Sequence, residues 1–129
     1  MKLEVSSGEI ADRLSILSIK LARIKDPDKL ANVKKEHTLT AAAWSAEITG
    51  RKGISDVFEM CAQLRKVNER LWDVEDSLRA CEAKEEFDDG FVPLARSVYK
   101  LNDQRAAIKR QINVALGSAL IEEKSYSAS

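Results

Sequence analysis

The sequence predicts an all-α protein, an antiparallel four-helix arrangement that ends in a long helical hairpin. Three observations carry that expectation. Apolar residues recur at alternating steps of three and four along most of the chain, the spacing that lines one face of a helix. Only 5 glycines and 2 prolines occur in 129 residues, too few for the many turns of an all-β fold. Where cap and turn residues do cluster, they cut the chain into four periodic segments.

The first helix follows Ser6-Ser7-Gly8-Glu9, in which Ser6 and Glu9 have capping-box spacing. Its apolar seam is Ile10, Leu14, Leu17, Leu21 and Ile24. Asp26-Pro27 stops it and starts the second helix, with Asp26 as N-cap and Pro27 at the first helical position. The second helix runs to about Thr49 with Leu30, Val33, His37, Ala41, Trp44 and Ile48 inward. Gly50-Arg51-Lys52-Gly53 breaks the pattern as an ordinary interhelical loop, and Ser55 or Asp56 caps the third helix. Val57, Cys61, Leu64, Asn68, Leu71, Val74, Leu78 and Cys81 form its seam to about Ala83. After the turn at 84–90, the fourth helix has Pro93 in its first turn and Leu94, Val98, Leu101, Arg105, Ile108, Ile112 and Ala115 inward. Gly117 is its C-cap, and Ser118 to Tyr126 leave room for one short turn. All 129 residues form one domain, with 1–7 and 127–129 expected to fray.

Composition restricts the function classes. Lys+Arg and Asp+Glu are equal at 21 each, so the chain lacks the basic excess of a general nucleic-acid coat, and nucleic acid is not an expected partner. The apolar runs are too short to span a bilayer, and Met1-Lys2-Leu3-Glu4-Val5 is unlike a secretory signal. A cytoplasmic location is expected. Cys61 and Cys81 lie on one helix, about 30 Å apart at 1.5 Å per residue, so they cannot bridge within the chain. Neither a cofactor nor a metal is expected. The single histidine cannot build a multi-His site, and Glu82, Glu85, Glu86, Asp88 and Asp89 read as a solvated turn.

The candidate site consists of polar residues on otherwise apolar faces. His37, Asn68 and Arg105 occupy seam positions where the pattern expects aliphatic residues. Antiparallel pairing about the turns puts His37 level with Leu17 and Asn68 level with Arg105, with Arg13, Lys20, Asn102 and Asp103 flanking. Lys109, one turn beyond Arg105, completes the set. An Arg in a helical core needs a partner. Asp103 or Asp76 could supply it as a register-fixing layer, or a bound phosphate or carboxylate could, since the guanidinium donates in a flat fork to either. On either alternative Arg105→Met should be tolerated by the fold.

Charge is segregated. From Asp73 to Asp89 there are eight acidic and two basic residues, and from Leu94 to Asn113 five basic and one acidic. Pairing of Glu75 or Asp76 with Lys100 or Arg96 across the hairpin is the expected consequence. The third and fourth helices also outrun the first. An overhang is expected, with Val57, Cys61, Ile112 or Leu116 near its free end, covered by the second helix and tail or by a second copy.

Gly8-Glu9-Ile10 with Asp12-Arg13-Leu14-Ser15-Ile16-Leu17, Leu71-Trp72 with Glu75-Asp76, Leu94-Ala95-Arg96-Ser97-Val98-Tyr99 and Glu122-Glu123-Lys124-Ser125-Tyr126 resemble a family of small helical proteins of bacteria and their phages that carries an unknown-function label. The likeness covers nearly the whole chain and is densest from Leu71 to Tyr126. It implies a freestanding module in a bacterial or phage setting and transfers no catalytic residue. A likeness to the three-helix chorismate mutases is only a distant analogy: no Lys or Arg-Glu pair falls where their second helix would supply it. The expected function is a non-catalytic helical interaction or small-anion-binding module, homo-oligomeric, whose partner is a protein or a small anionic ligand. The alternative is a small all-α enzyme acting on a phosphate- or carboxylate-bearing metabolite through a cleft at Arg105.

Overall fold

The computed structural model describes residues 1–125 and contains four helices: α1 (Ser7–Arg23), α2 (Pro27–Ile48), α3 (Ser55–Lys84) and α4 (Phe91–Ala115). No strand occurs among the described residues. Ser6 caps α1, its Oγ accepting from the Glu9 amide at 3.1 Å. Asp26 caps α2 through its Oδ1, which takes the Asp28 amide at 2.9 Å, and Pro27 supplies the first helical residue. The α2 start follows the sequence pattern, whereas at α1 only the Ser6 half of the capping box forms, because the Glu9 carboxylate turns to Arg13 and Lys109.

The start of α3 differs. Ile54 is its N-cap and makes no side-chain cap bond, so Ser55 and Asp56 are already helical. Gly53, at φ +69°, turns the chain one residue earlier than expected, and Asp56 faces the helix dipole from the first turn without capping. At the end of α4, Leu116 is the C-cap and Gly117 follows it at φ +60°. The Ser118 amide then reaches the Asn113 carbonyl at 2.8 Å and the Gly117 amide that of Val114 at 3.2 Å, a Schellman motif that reverses the chain. Ser118 onward forms an irregular strap and not the expected short turn; Tyr126 and the expected fraying residues 127–129 lie outside the described residues.

α1 is the hub. It packs against α2, α3 and α4, whereas the backbone of α2 lies alongside α1 alone. The core gathers Trp44, Val57, Leu64, Leu71, Leu101, Ile108, Ile112 and Leu116 around Ala11. Ser18 against His37 and Ser7 against Glu47 set α1 antiparallel to α2, and Gly8 against Asn113 with Asp12 against Arg105 sets it antiparallel to α4. Gly8 permits the second crossing: a Cβ there would lie 2.4 Å from the Lys109 carbonyl oxygen.

Three expectations are corrected here. Val57, Ile112 and Leu116 are buried and Cys61 is half-buried, because α1 and Trp44 of α2 cover that end. The overhang is at the opposite end, where α3 and α4 continue past α1. Ser6 and Ser7 are buried and hydrogen-bonded, not frayed: Ser6 Oγ donates to Glu122 and the Ser7 amide to Ser118 Oγ at 3.1 Å. Ala115 is exposed, and Leu116 takes the inward place instead.

Candidate ligand-binding site

The site is built around Asp12, a carboxylate of α1 with no exposed surface. Arg105 Nε donates to its two oxygens at 3.0 and 3.1 Å, and Arg105 Nη2 donates to Oδ2. Asn68 Nδ2 donates to Oδ1 at 2.9 Å, and Lys109 Nζ stands 3.8 Å from Oδ2. Burying an ionised carboxylate is costly unless charged and polar donors replace its water. Here α3 and α4 both contribute donors, so the group ties three helices together.

Arg105 is therefore satisfied by Asp12, not by Asp103 or Asp76. Asp103 pairs with Lys124 at 3.1 Å and Asp76 with Arg79 at 3.2 Å. The reason is angular: residues two apart on a helix do not face one another, whereas Asp12 meets Arg105 across the α1–α4 crossing. The expected Glu75 and Asp76 pairs with Lys100 and Arg96 are likewise replaced by contacts to Arg79 within α3. The Asp12 hydrogen bonds outweigh burial and push the Arg105 pKa above its usual value, so its charge is permanent. Beside it, Lys109 bonds Glu9 at 2.6 Å and Arg13 bonds Glu9 at 3.0 Å. Burial opposes ionisation of Glu9, but those two hydrogen bonds and the Lys109 charge together hold its pKa below the ordinary value.

Asp12 engages Nε and one proton of Nη2, leaving Arg105 Nη1 with a single long contact, 3.5 Å to Asn102 Oδ1. Arg105 and Asn102 line two cavities. One, of about 240 Å³, lies between α1, α3 and α4 and has Ile16, Ile19, Leu71 and Trp72 as apolar walls, with Lys20, Asn68 and Glu75 as its other polar groups. The other, of about 260 Å³, lies beneath the strap and is bordered by Lys109, Arg110, Asn113, Glu122 and Glu123. Its cations already have carboxylates: Lys109 has Glu9, and Arg110 has Glu123 at 2.6 Å.

This arrangement occurs in a chain whose residues 1–129 match the sequence model of a family of unknown function. The chain belongs to DUF6165. No curated protein and no solved structure matches it. The full-length match agrees with the resemblance read from the sequence.

Within this DUF6165 chain, Lys20, Asn68, Asn102 and Arg105 of the sequence-derived set share the 240 Å³ cavity. Lys109 joins Arg105 and Asn102 at the other cavity. Three do not join them. Arg13 is exposed on Glu9, His37 meets Ser18 at 3.3 Å in the α1–α2 interface, and Asp103 holds Lys124. Sequence reasoning missed Asp12, Trp72 and Glu75 as site residues. Asp12 lies off the Ile10–Leu14–Leu17 seam, and only the burial of α1 on several sides makes it interior. Its place beside Gly8, a helical glycine one turn earlier, was the available signal of close helix approach.

Proposed function

We propose that this chain is a non-catalytic helical module that binds a small anionic ligand in the cavity between α1, α3 and α4. The observation that carries the reading is Arg105. Its guanidinium is anchored by Asp12 on one edge, while Nη1 keeps donors in reserve beside the cavity. Lys20 lines the same cavity and makes no ion pair within the described residues. A carboxylate or phosphate would meet Arg105 and Lys20, while an apolar or aromatic body would lie against Trp72, Ile16 and Ile19. Asn68 Nδ2 is spent on Asp12 and on Ser15 Oγ at 3.2 Å, so its Oδ1 can serve only a donor on the ligand's body and not the anionic group.

The cavity's lining holds no cysteine, serine or histidine, so it offers no ordinary nucleophile for covalent catalysis. A reducing, cytoplasmic setting in a bacterium or phage-infected cell fits two free cysteines on one helix. No described helix is long and apolar enough to cross a membrane.

Thermal shift tests the reading. A ligand bound only by the folded state stabilises it by RT ln(1 + [L]/Kd), about 2.7 kcal/mol at 100 times Kd. Wild type should be stabilised by millimolar phosphate or by an aryl carboxylate, beyond a chloride control of equal ionic strength. Lys20→Met, which leaves Asp12 paired, should lose that response. Equal responses from the two proteins, or none from wild type, would sink the proposal.

A further inference from the structure

We infer that the tip of the α3–α4 hairpin is a self-association surface, and that its occupant is the same tip of a second copy laid antiparallel across it. This inference stands apart from the ligand cavity. α1 ends at Arg23, whose guanidinium bonds Asp73 and lies 5.9 Å over Trp72. Beyond that level α3 runs on from Val74 to Lys84, eleven residues or about 16 Å, with only α4 beside it.

A pair of helices can bury only the line where they touch. Leu64, Leu101 and Ile112, deep in the α3–α4 seam, are at most 2% exposed. Further out the same seam is half-buried at Val74, Leu78, Cys81, Leu94 and Val98. Phe87, Val92 and Tyr99 expose more than half their surface there, at 54%, 58% and 53%. Apolar side chains grouped in this way on one extended tip mark a contact surface.

The charges on the tip select the occupant. Glu82, Glu85 and Glu86 at the end of α3 make no ion pair within the described chain, and neither do Arg96 and Lys100 near the start of α4. Counting residues from the 84–90 turn, Arg96 and Lys100 stand about one to three turns' rise below the acids on the neighbouring helix, and no ion pair joins the two groups within the described chain. An inverted second hairpin brings its acidic end level with those cations, and two-fold symmetry repeats the match on the other side. The apolar tips then close into a four-helix bundle. A general basic partner would leave Arg96 and Lys100 facing like charge.

Charge-swap variants test this, because every substituted residue is exposed and the core is untouched. Arg96→Glu/Lys100→Glu should run as a monomer, and so should Glu82→Lys/Glu86→Lys, each with the helical circular dichroism of wild type. Mixing the two should restore a species of twice the 14.4 kDa chain mass by light scattering at micromolar concentration. A monomeric wild type would overturn the inference, as would charge-swapped variants that each dimerise alone like wild type. Failure of the mixture to associate would remove the antiparallel charge match and with it the proposed occupant.

Discussion

Gly8→Ala should destabilise the protein more than an alanine elsewhere in α1, because of where the new methyl would go. The added Cβ would sit 2.4 Å from the Lys109 carbonyl oxygen and 2.9 Å from Asn113 Oδ1. Lys109 belongs to the body of α4, so backbone and not a yielding side chain must move. Restoring an ordinary contact of 3.4 Å requires 3.4 − 2.4 = 1.0 Å of separation between α1 and α4. The bond from the Gly8 amide to Asn113 Oδ1, 2.6 Å and buried, lengthens with it. Overpacking of this kind costs about 1–3 kcal/mol, and a weakened buried hydrogen bond adds about 1 kcal/mol. Alanine's helix propensity returns at most about 1 kcal/mol. The net loss is therefore about 1–3 kcal/mol, or a fall in Tm of roughly 4–12 °C for a domain of this size. Differential scanning calorimetry measures it. A Tm equal to or above that of wild type would show that α1 and α4 are not in close contact at Gly8.

Arg105→Met should destabilise by about 3 kcal/mol, since it strands Asp12 without its main partner, and denaturant unfolding would read the loss. This reverses the tolerance expected from sequence, and the double variant Asp12→Leu/Arg105→Met should recover much of the stability. Glu9 has a lowered folded pKa, so it stabilises above the ordinary carboxylate value and loses that contribution as pH falls through the folded value. Melting between pH 7 and 3 should therefore show wild type losing more stability than Glu9→Gln; parallel curves would contradict the Lys109–Glu9–Arg13 arrangement. Burial raises the Cys61 thiol pKa, so alkylation at pH 8 followed by mass spectrometry should find Cys61 modified more slowly in the folded protein than in the urea-unfolded chain.

The helices were legible in sequence because their caps are local. Ser6, Asp26 and Pro27 act within four residues of themselves, and their effect can be read without the rest of the chain. The inner face of α2 was legible for a related reason: its backbone runs beside one helix, so a single stripe describes it, with Trp44 reaching past α1 into the core. α1 defeated the same method. It touches three helices, and a one-stripe reading leaves Ser7, Gly8, Asp12 and Ile19 outside a core that contains them. The level of Asn68 with Arg105 followed from turn position, and the structure joins both to Asp12. Which carboxylate Arg105 would choose depended on the α1–α4 crossing, which no local spacing encodes.

The strap and the α1 crossing also bear on the order in which the protein can be completed during synthesis. Ser6, Ser7 and Gly8 emerge before α2, α3 and α4, yet their partners Asn113, Ser118 and Glu122 are more than a hundred residues later. Asp12 waits for Arg105 in the same way. The α1–α2 pair can form early, but the first turn of α1 cannot be finished until α4 has left the ribosome. The hub of the fold is thus made before the other three helices and is among the last of the four to be secured.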